Sequence, residues 1–421
     1  MQKTILRIKK ELTNYSKAEK IFFAFAMVCG FLITSEYAVT KPTSNSIFIA
    51  HYGICLYPYA WLATVPLNFL VVILYNRFLP RWGCFPIFLC SVILTMGINA
   101  ISGLYVQHYP FLSFVLYVWK DIYILLMFQQ LWSIIHLQTQ MSKAKYLYGI
   151  LFGISGCGSI FGSVIPSFFA IKIGSEHLLF MTIPLYLLFA IFYYLLLKQR
   201  NNKQLNIAPC DIFRGMKLIY ASPHIKYILL IVVLMQLSTT IMEFQFNTFL
   251  HLKLPIQDVR TQFYGKLWAT INTCKLSLQF FATFLLIHFL GFYNSHFVVP
   301  GVLLCNSILA LYNPSFVIMT YSFGVIKTFD YSIFNIIKEM LYVPLKAEEK
   351  FKAKAIIDVF SYRSAKALAS LFVVGMQLIS PLHWPVALSW LSFIIFSVWI
   401  GTLLFLTKKH FFTQTCIVDL P

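Results

Sequence analysis

The sequence is short of charge, and most of the charge it has is of one sign. Against 33 lysines and arginines stand only 14 acids in 421 residues, and ionised side chains make up just 11% of the chain. A soluble globular domain carries about 25% charged residues, so this class is excluded at the outset. Other absences narrow the chemistry. The nine cysteines (Cys29, Cys55, Cys84, Cys90, Cys157, Cys210, Cys274, Cys305, Cys416) include no Cys-x-x-Cys pair, which removes a disulfide framework or a thiolate metal site and leaves them as small hydrophobes. There is no glycine-rich phosphate loop, no His/Cys ligand cluster and no Ser/His/Asp arrangement. No metal, no cofactor and no enzymatic activity are expected.

What is present in excess is apolar surface: 59% of residues are hydrophobic and 18% aromatic. Runs of roughly 20 apolar residues, the length that crosses a bilayer as a helix, recur at 21–43, 53–75, 84–106, 110–136, 147–171, 177–197, 225–250, 263–289, 296–312, 315–342, 355–377 and 384–407. The expectation is an all-α integral membrane protein of about twelve transmembrane helices. One long polar break, from Lys198 to about His224, divides them six and six. The expected organisation is a tail over 1–20, a six-helix bundle over 21–197, a linker over 198–224, a second bundle over 225–407 and a tail over 408–421. A 6+6 set with a basic linker resembles transporters of the major facilitator type, in which two halves rock about a central site.

The net charge of +19 invites a nucleic-acid partner, but its placement argues against one. Most basic residues fall in the N-terminal tail, the loop with Arg77 and Arg81, the loop with Lys143 and Lys145, the central linker, the segment Lys346–Lys354 and the C-terminal tail. Those segments share one side of the membrane, which is the positive-inside bias, so both termini are expected in the cytoplasm. The basic start leads into an apolar run with no small-residue cleavage site after it, and reads as a retained signal anchor. The partners expected are the lipid bilayer and a small solute, with no nucleic acid, for a monomer in a bacterial inner membrane.

Ionisable residues inside the apolar runs are the functional signal. A charge at mid-bilayer costs several kcal/mol, so such residues face a bundle interior or aqueous cavity and mark a pathway. In the first half these are Glu36, Lys41, Lys120 and Asp121; in the second, Glu243, Lys275, Lys327, Asp330, Lys338, Glu339, Asp358, Arg363 and Lys366. Several lie on helical stripes. Trp268, Asn272, Lys275 and Gln279 recur at i, i+4, i+7 and i+11, and Gln236, Thr240, Glu243 and Asn247 also share a face. Bases outnumber acids near mid-depth, and a cavity with surplus positive charge favours an anionic solute. Structural ion pairing is the competing reading, evenly balanced for Lys120-Asp121 and for Asp358 with Arg363. In the fifth span, Gly149-x-x-x-Gly153 and Gly158-x-x-x-Gly162 permit close helix contact.

Residues 327–366, KTFDYSIFNIIKEMLYVPLKAEEKFKAKAIIDVFSYRSAK, carry a specific resemblance. They are similar to the Tlc/NTT nucleotide transporters, the ATP/ADP translocases of obligate intracellular bacteria and plastids, whose pattern there is K-x-x-x-Y-S-x-F-x-x-x-K-E-M-x-Y-I-P-L followed by K-x-K-A-x-I-D-x-x-x-x-R-x-x-K. A second stretch, Trp132 to Gly153, resembles the family's E-A-K-R-F-Y segment through Ala144-Lys145 and Tyr148. The resemblance implies a twelve-helix carrier that exchanges nucleotides. It implies substrate binding by Lys41, Lys327, Arg363 and Lys366, to which the residue pattern adds Lys120 and Lys275. Coupling or gating roles fall to Glu36, Asp121, Glu243, Asp330, Lys338, Glu339 and Asp358. Departures concentrate in the first half. Lys120 stands where the family has an acid, and the family's R-D-T-K-D reads Ala38-Val39-Thr40-Lys41-Pro42. In the second half a family lysine becomes Asp330, and an aspartate becomes Asn335. The expected function is alternating-access transport of an anionic solute, a nucleotide or related phosphorylated metabolite. A proton-coupled carrier of another substrate and a transport-inactive scaffold or receptor are the alternatives.

Overall fold

The computed structural model describes residues 16–138, 141–199, 222–342, 357, 362–379 and 384–408, which are helical almost throughout and contain no strand. Most of the two tails and of the linker, together with Asp358, lie outside the described residues. The helices are α1 (Lys17–Tyr52), α2 (Tyr57–Trp82), α3 (Cys84–Tyr105), α4 (Phe111–Gln138) and α5 (Met141–Ile173). They continue as α6 (Ser175–Lys198), α7 (Pro223–Lys253), α8 (Gln257–Tyr312), α9 (Phe316–Phe329), α10 (Asn335–Leu341), α11 (Tyr362–Ile379) and α12 (Trp384–Lys408). A single π-helical turn, Asp330–Phe334, joins α9 to α10.

The eighth and ninth expected spans are not separated. They form one 56-residue element, α8. At ~1.5 Å per residue this is far more chain than one crossing of a ~30 Å hydrocarbon core needs, so α8 carries both spans. The residues between them, 290–295, include one glycine and no proline, so every backbone donor needed for helical hydrogen bonding is present. Among the described residues, nine helical stretches are long and apolar enough to cross a bilayer. The expected spans 263–289, 315–342 and 355–377 are not among them, and they hold Lys275, Lys327 with Asp330, and Arg363 with Lys366.

The chain divides into two compact units. The first comprises Met1–Gly53, Pro66–Ile207 and Leu254–Asn272; the second comprises Ile54–Val65, Ala208–Lys253 and Thr273–Pro421. Helix α2 therefore begins in the second unit and continues in the first, while α8 does the reverse.

In the first unit α1 is the central element. It starts at a capping box, in which Ser16 Oγ accepts from the Glu19 amide at 3.2 Å and the Glu19 carboxylate accepts from the Ser16 amide at 2.8 Å. It stops at Gly53, whose φ of 68° suits glycine. Its buried face (Phe22, Phe23, Ala26, Cys29, Ile33) packs with Phe88 and Val92 of α3, Tyr123 and Met127 of α4, and Tyr186, Phe189 and Tyr193 of α6. Contact with α5 is closest. Thr34 Oγ1 donates to the Ser155 carbonyl at 2.7 Å and Ser35 Oγ to the Gly158 carbonyl at 3.0 Å. A Cβ on Gly158 or Gly162 would fall well inside van der Waals distance of the Phe31 or Ser35 carbonyl oxygen. The Gly158–Gly162 part of the predicted stripe thus lies at the α1–α5 seam, whereas an added Cβ at Gly149 meets nothing within 4 Å. Without a hydrophobic drive in lipid, close packing and hydrogen bonds hold such helices together.

The start of α8 belongs to the same unit. The Asp258 carboxylate accepts from the Ser175 amide at 2.8 Å, satisfying a free donor at the N-terminus of α6. Gly265 packs on the backbone at Pro166 and Ser167 of α5, and Asn272 Nδ2 donates to Ser163 Oγ at 3.2 Å.

The second unit is organised on α7, 72% of whose apolar window is buried. Phe246 stacks on Phe323 of α9 with ring centroids 4.4 Å apart, and Gln245 Nε2 donates to Ser389 Oγ of α12 at 2.7 Å. Outward faces in both units carry large apolar side chains, among them Ile73, Ile93, Phe168, Phe372 and Val398, which suits lipid surroundings.

The seam predicts a graded response to added volume. Gly162→Leu is expected to abolish recovery of folded protein and Gly162→Ala to lower the thermal midpoint. Gly97→Ala, where an added Cβ meets nothing within 4 Å, is expected to leave the midpoint unchanged or raise it, since alanine is favoured over glycine in a helix by up to ~1 kcal/mol. Midpoints in detergent solution check all three.

Candidate substrate site

In the second unit the charged residues gather around the π turn. Such turns arise where one extra residue breaks the regular ladder, and they recur at functional sites. Lys327, in the last turn of α9, is buried and donates to Glu243 Oε2 of α7 at 2.7 Å. Three residues on, Asp330 is buried at the first position of the turn and accepts from Tyr362 Oη of α11 at 3.1 Å and from Gln236 Nε2 of α7 at 3.3 Å. The Tyr331 carbonyl, inside the turn, accepts from Gln279 Nε2 of α8 at 3.0 Å. Both predicted polar stripes therefore supply partners: Gln236 and Glu243 from α7, and Gln279 from α8.

Lys275 lies on the α8 stripe, half-buried, with its ammonium 6.0 Å from the Tyr331 ring centroid. Among the described residues no carboxylate stands within ion-pair distance of it. Lys366 of α11 is half-buried, 5.1 Å from the Trp61 ring, and Arg363 is half-buried one turn before it. Lys338 is buried and Glu339 half-buried in α10.

In the first unit the cations rest on aromatic faces. The Lys41 ammonium is 3.7 Å from the Trp268 ring centroid and 5.7 Å from that of Tyr37. Lys120, buried, is 3.2 Å from the Tyr117 centroid, donates to the Tyr117 carbonyl at 3.2 Å and stands 3.6 Å from Asp121. Cation–π contact of this kind is worth more when both groups are out of water. Asp121 also accepts from Tyr37 Oη at 3.4 Å. Glu36 is 1% exposed and bonded to hydroxyls alone: Thr40 Oγ1 donates to Oε1, and Tyr123 Oη stands 2.9 and 2.8 Å from the two carboxyl oxygens.

Sequence reasoning placed Trp268 on the α8 stripe but did not single out the partners Trp61, Tyr117, Tyr123, Tyr331 and Tyr362. Two had a local signal, since Tyr117 precedes Lys120 by three residues and Tyr331 follows Lys327 by four, both helical neighbours. The others come from distant segments.

The profile of a family described as TLC ATP/ADP transporter matches residues 177–410, more than half of the chain. ADP,ATP carrier protein 1 of Chlamydia pneumoniae is 24% identical over 178 residues, a stretch covering 38% of this chain. It spans 35% of that relative, so the chain matches about a third of the carrier's length. Among solved structures, a bacterial homologue of the iron transporter ferroportin, in an inward-facing state, superposes with a TM-score of 0.63 at 13% identity, covering 91% of this chain and 99% of that one. A point mutant of the nucleoside transporter NupG gives 0.62 at 12% identity, over 93% and 99%. These structures show the fold, a major-facilitator-like bundle. The protein is a multi-pass membrane protein and belongs to the TLC ATP/ADP transporter family.

Proposed function

We propose that this transporter moves an anionic nucleotide, or a related phosphorylated metabolite, by exchange of the ATP/ADP type. The observation that carries the reading is Lys275, a half-buried cation in the second unit with no carboxylate in ion-pair reach among the described residues. An ammonium kept in that position without a counter-charge is stabilised when an anion arrives, because opposite charges attract strongly where water is sparse. Family membership supports phosphate as that anion, and Arg363 supplies a guanidinium whose planar fork matches phosphate oxygens two at a time.

Lys327 plays a different part. Its ammonium is held by Glu243 at 2.7 Å, so a substrate phosphate competes with that carboxylate for the same donors. Release of Glu243 on binding, and its return on departure, gives the second unit two electrostatic states that the substrate biases. In the first unit Lys41 and Lys120, each on an aromatic face, add to the positive potential. We propose a monomer in a bacterial inner membrane, and the one-sided distribution of its lysines and arginines supports cytoplasmic termini.

Proteoliposomes loaded with unlabelled nucleotide and offered labelled ATP test the reading. Uptake stimulated by internal nucleotide is expected; absence of uptake for every nucleotide tried, with protein shown to be folded, sinks it. In the same assay Lys275→Gln is expected to raise KM by tenfold or more, a loss of about 1.4 kcal/mol, with the thermal midpoint unchanged.

The ion pair predicts a different pattern. Lys327→Gln alone leaves Glu243 buried and unpaired, and breaking such a pair costs about 3–5 kcal/mol, so the midpoint is expected to fall sharply. Lys327→Gln with Glu243→Gln is expected to recover the midpoint while transport stays lost. In the wild type, a bound nucleotide at about 100 times its Kd should add ~2.7 kcal/mol of stability, and the doubly neutral variant should lose most of that gain.

A further inference from the structure

We infer that Glu36 is a proton-carrying site, loaded and unloaded during the transport cycle, so that this carrier links solute movement to a proton. The site is a hydroxyl cage inside the first unit. Tyr123 of α4 turns its hydroxyl between the two carboxyl oxygens, at 2.9 and 2.8 Å, and Thr40, one turn along α1, bonds Oε1. Tyr186 of α6 meets the Tyr123 ring edge-on with centroids 6.2 Å apart, and its buried hydroxyl lies at the same cluster with no hydrogen bond within normal geometry. The carboxyl is 1% exposed, and Tyr123 and Tyr186 are equally enclosed, at 0% and 1%.

The charged and titratable groups on every neighbouring helix are engaged elsewhere or absent. On α1 itself, Tyr37 donates to Asp121 and Lys41 lies over Trp268. On α4, Lys120 lies over Tyr117 beside Asp121. From α6 only Tyr186 faces the carboxyl. From α5 the nearest elements are Gly158 and Gly162 with serines, which carry no titratable group. No lysine, arginine or histidine among the described residues forms an ion pair with Glu36.

A carboxylate enclosed this way needs a positive charge brought to it from outside the protein, and hydroxyls alone supply none. A proton is the cation that fits, since two tyrosines and a threonine leave the carboxyl in a cage built from O–H groups. The step is a simple transfer. A carboxylate oxygen of Glu36 takes a proton from a hydronium ion: one O–H bond of the hydronium breaks, one forms on the carboxyl, a neutral water leaves, and the carboxyl then donates within the cage. Release reverses this when the unit opens the cage to solvent. The Tyr123 and Thr40 hydroxyls fix the carboxyl, so both are positioning residues, and Glu36 holds the proton.

The coupling arm of the test rests on the nucleotide reading, and the spectroscopic arm does not. Infrared difference spectra of the wild-type protein in liposomes, stepped from mildly acidic to mildly alkaline pH, are expected to lose a protonated-carboxyl carbonyl band. That band should be missing in Glu36→Gln, kept in Asp121→Asn and shifted in frequency in Tyr123→Phe. With membrane potential clamped, an inward proton gradient is expected to drive accumulation of labelled nucleotide, up to about tenfold per pH unit for one proton per solute. Glu36→Gln is expected to keep exchange of nucleotide between the two sides and to lose gradient-driven accumulation. Wild-type-like accumulation in Glu36→Gln, or a band unaffected by that substitution, overturns the proposal. A band that behaves as expected in protein that transports no nucleotide leaves the proton site standing and overturns the substrate instead.

Discussion

Every structural choice in this chain answers one constraint: a charge inside the hydrocarbon layer must find its counterweight within the protein. The described residues show four ways of meeting it. Lys327 has a carboxylate, Glu243, at 2.7 Å. Lys41 and Lys120 use the electron-rich faces of Trp268 and Tyr117. Arg260, fully buried near the start of α8, donates to backbone carbonyls, closest to that of Ser46 at 2.8 Å. Glu36 relies on hydroxyl donors. The four are not equivalent. A carboxylate partner cancels charge, whereas aromatic faces, carbonyls and hydroxyls only solvate it. Lys120 has the Asp121 carboxylate at 3.6 Å as well, so Glu36, bonded to hydroxyls, is the site where a mobile cation changes the energy most.

The same constraint explains why backbone irregularity falls where it does. A π turn frees carbonyls that lipid cannot satisfy, so it is tolerated only inside the bundle. At Asp330–Phe334 the freed Tyr331 carbonyl takes Gln279 from the α8 stripe, while Asp330 takes Gln236 and Tyr362. The polar stripes on α7 and α8 thus serve the backbone of the turn as well as the charges beside it. In the first unit the equivalent economy lies between α1 and α5. There glycine removes the side chain altogether, and the Thr34 and Ser35 hydroxyls bond carbonyls across the seam.

The architecture was legible in the sequence because hydropathy and helical spacing are local properties. The apolar runs and the glycine stripe each follow from residues within a few turns of one another. The family signal was local too: the block 327–366 lies inside the region 177–410 that the family profile matches. What could not be read was tertiary pairing. Glu36 and Tyr123 are 87 residues apart, and Glu243 and Lys327 are 84 apart, so periodicity could place each on a face without naming its partner. The fusion of two expected spans into α8 was hidden for a related reason. A break requires a residue that stops helical bonding, and hydropathy alone does not show that none is present.

The distribution of the departures bears on how substrate and energy are divided between the units. The second unit retains the family's lysines at 327, 338 and 366 and its arginine at 363, with one lysine replaced by Asp330, and there Lys275 supplies a cation that an anion would balance. The first unit has lost both acids that flank Lys41 in the family, and Lys120 stands in place of an acid, with Asp121 beside it. The stretch around Lys41 loses one base and both acids, and at Lys120-Asp121 the acid is displaced by one residue and gains a lysine beside it, so on balance the changes remove negative charge. Glu36 is then the remaining acid enclosed in that unit without a lysine or arginine beside it. On the readings proposed above, this separates two tasks by chemistry. Fixed cations in the second unit hold the solute's charge, and a caged acid in the first carries a proton that the solute does not displace. Two such sites need no shared ligand to be linked. Each is sensitive to how its own unit opens to water, and a conformational change that hydrates one while burying the other couples them through free energy alone.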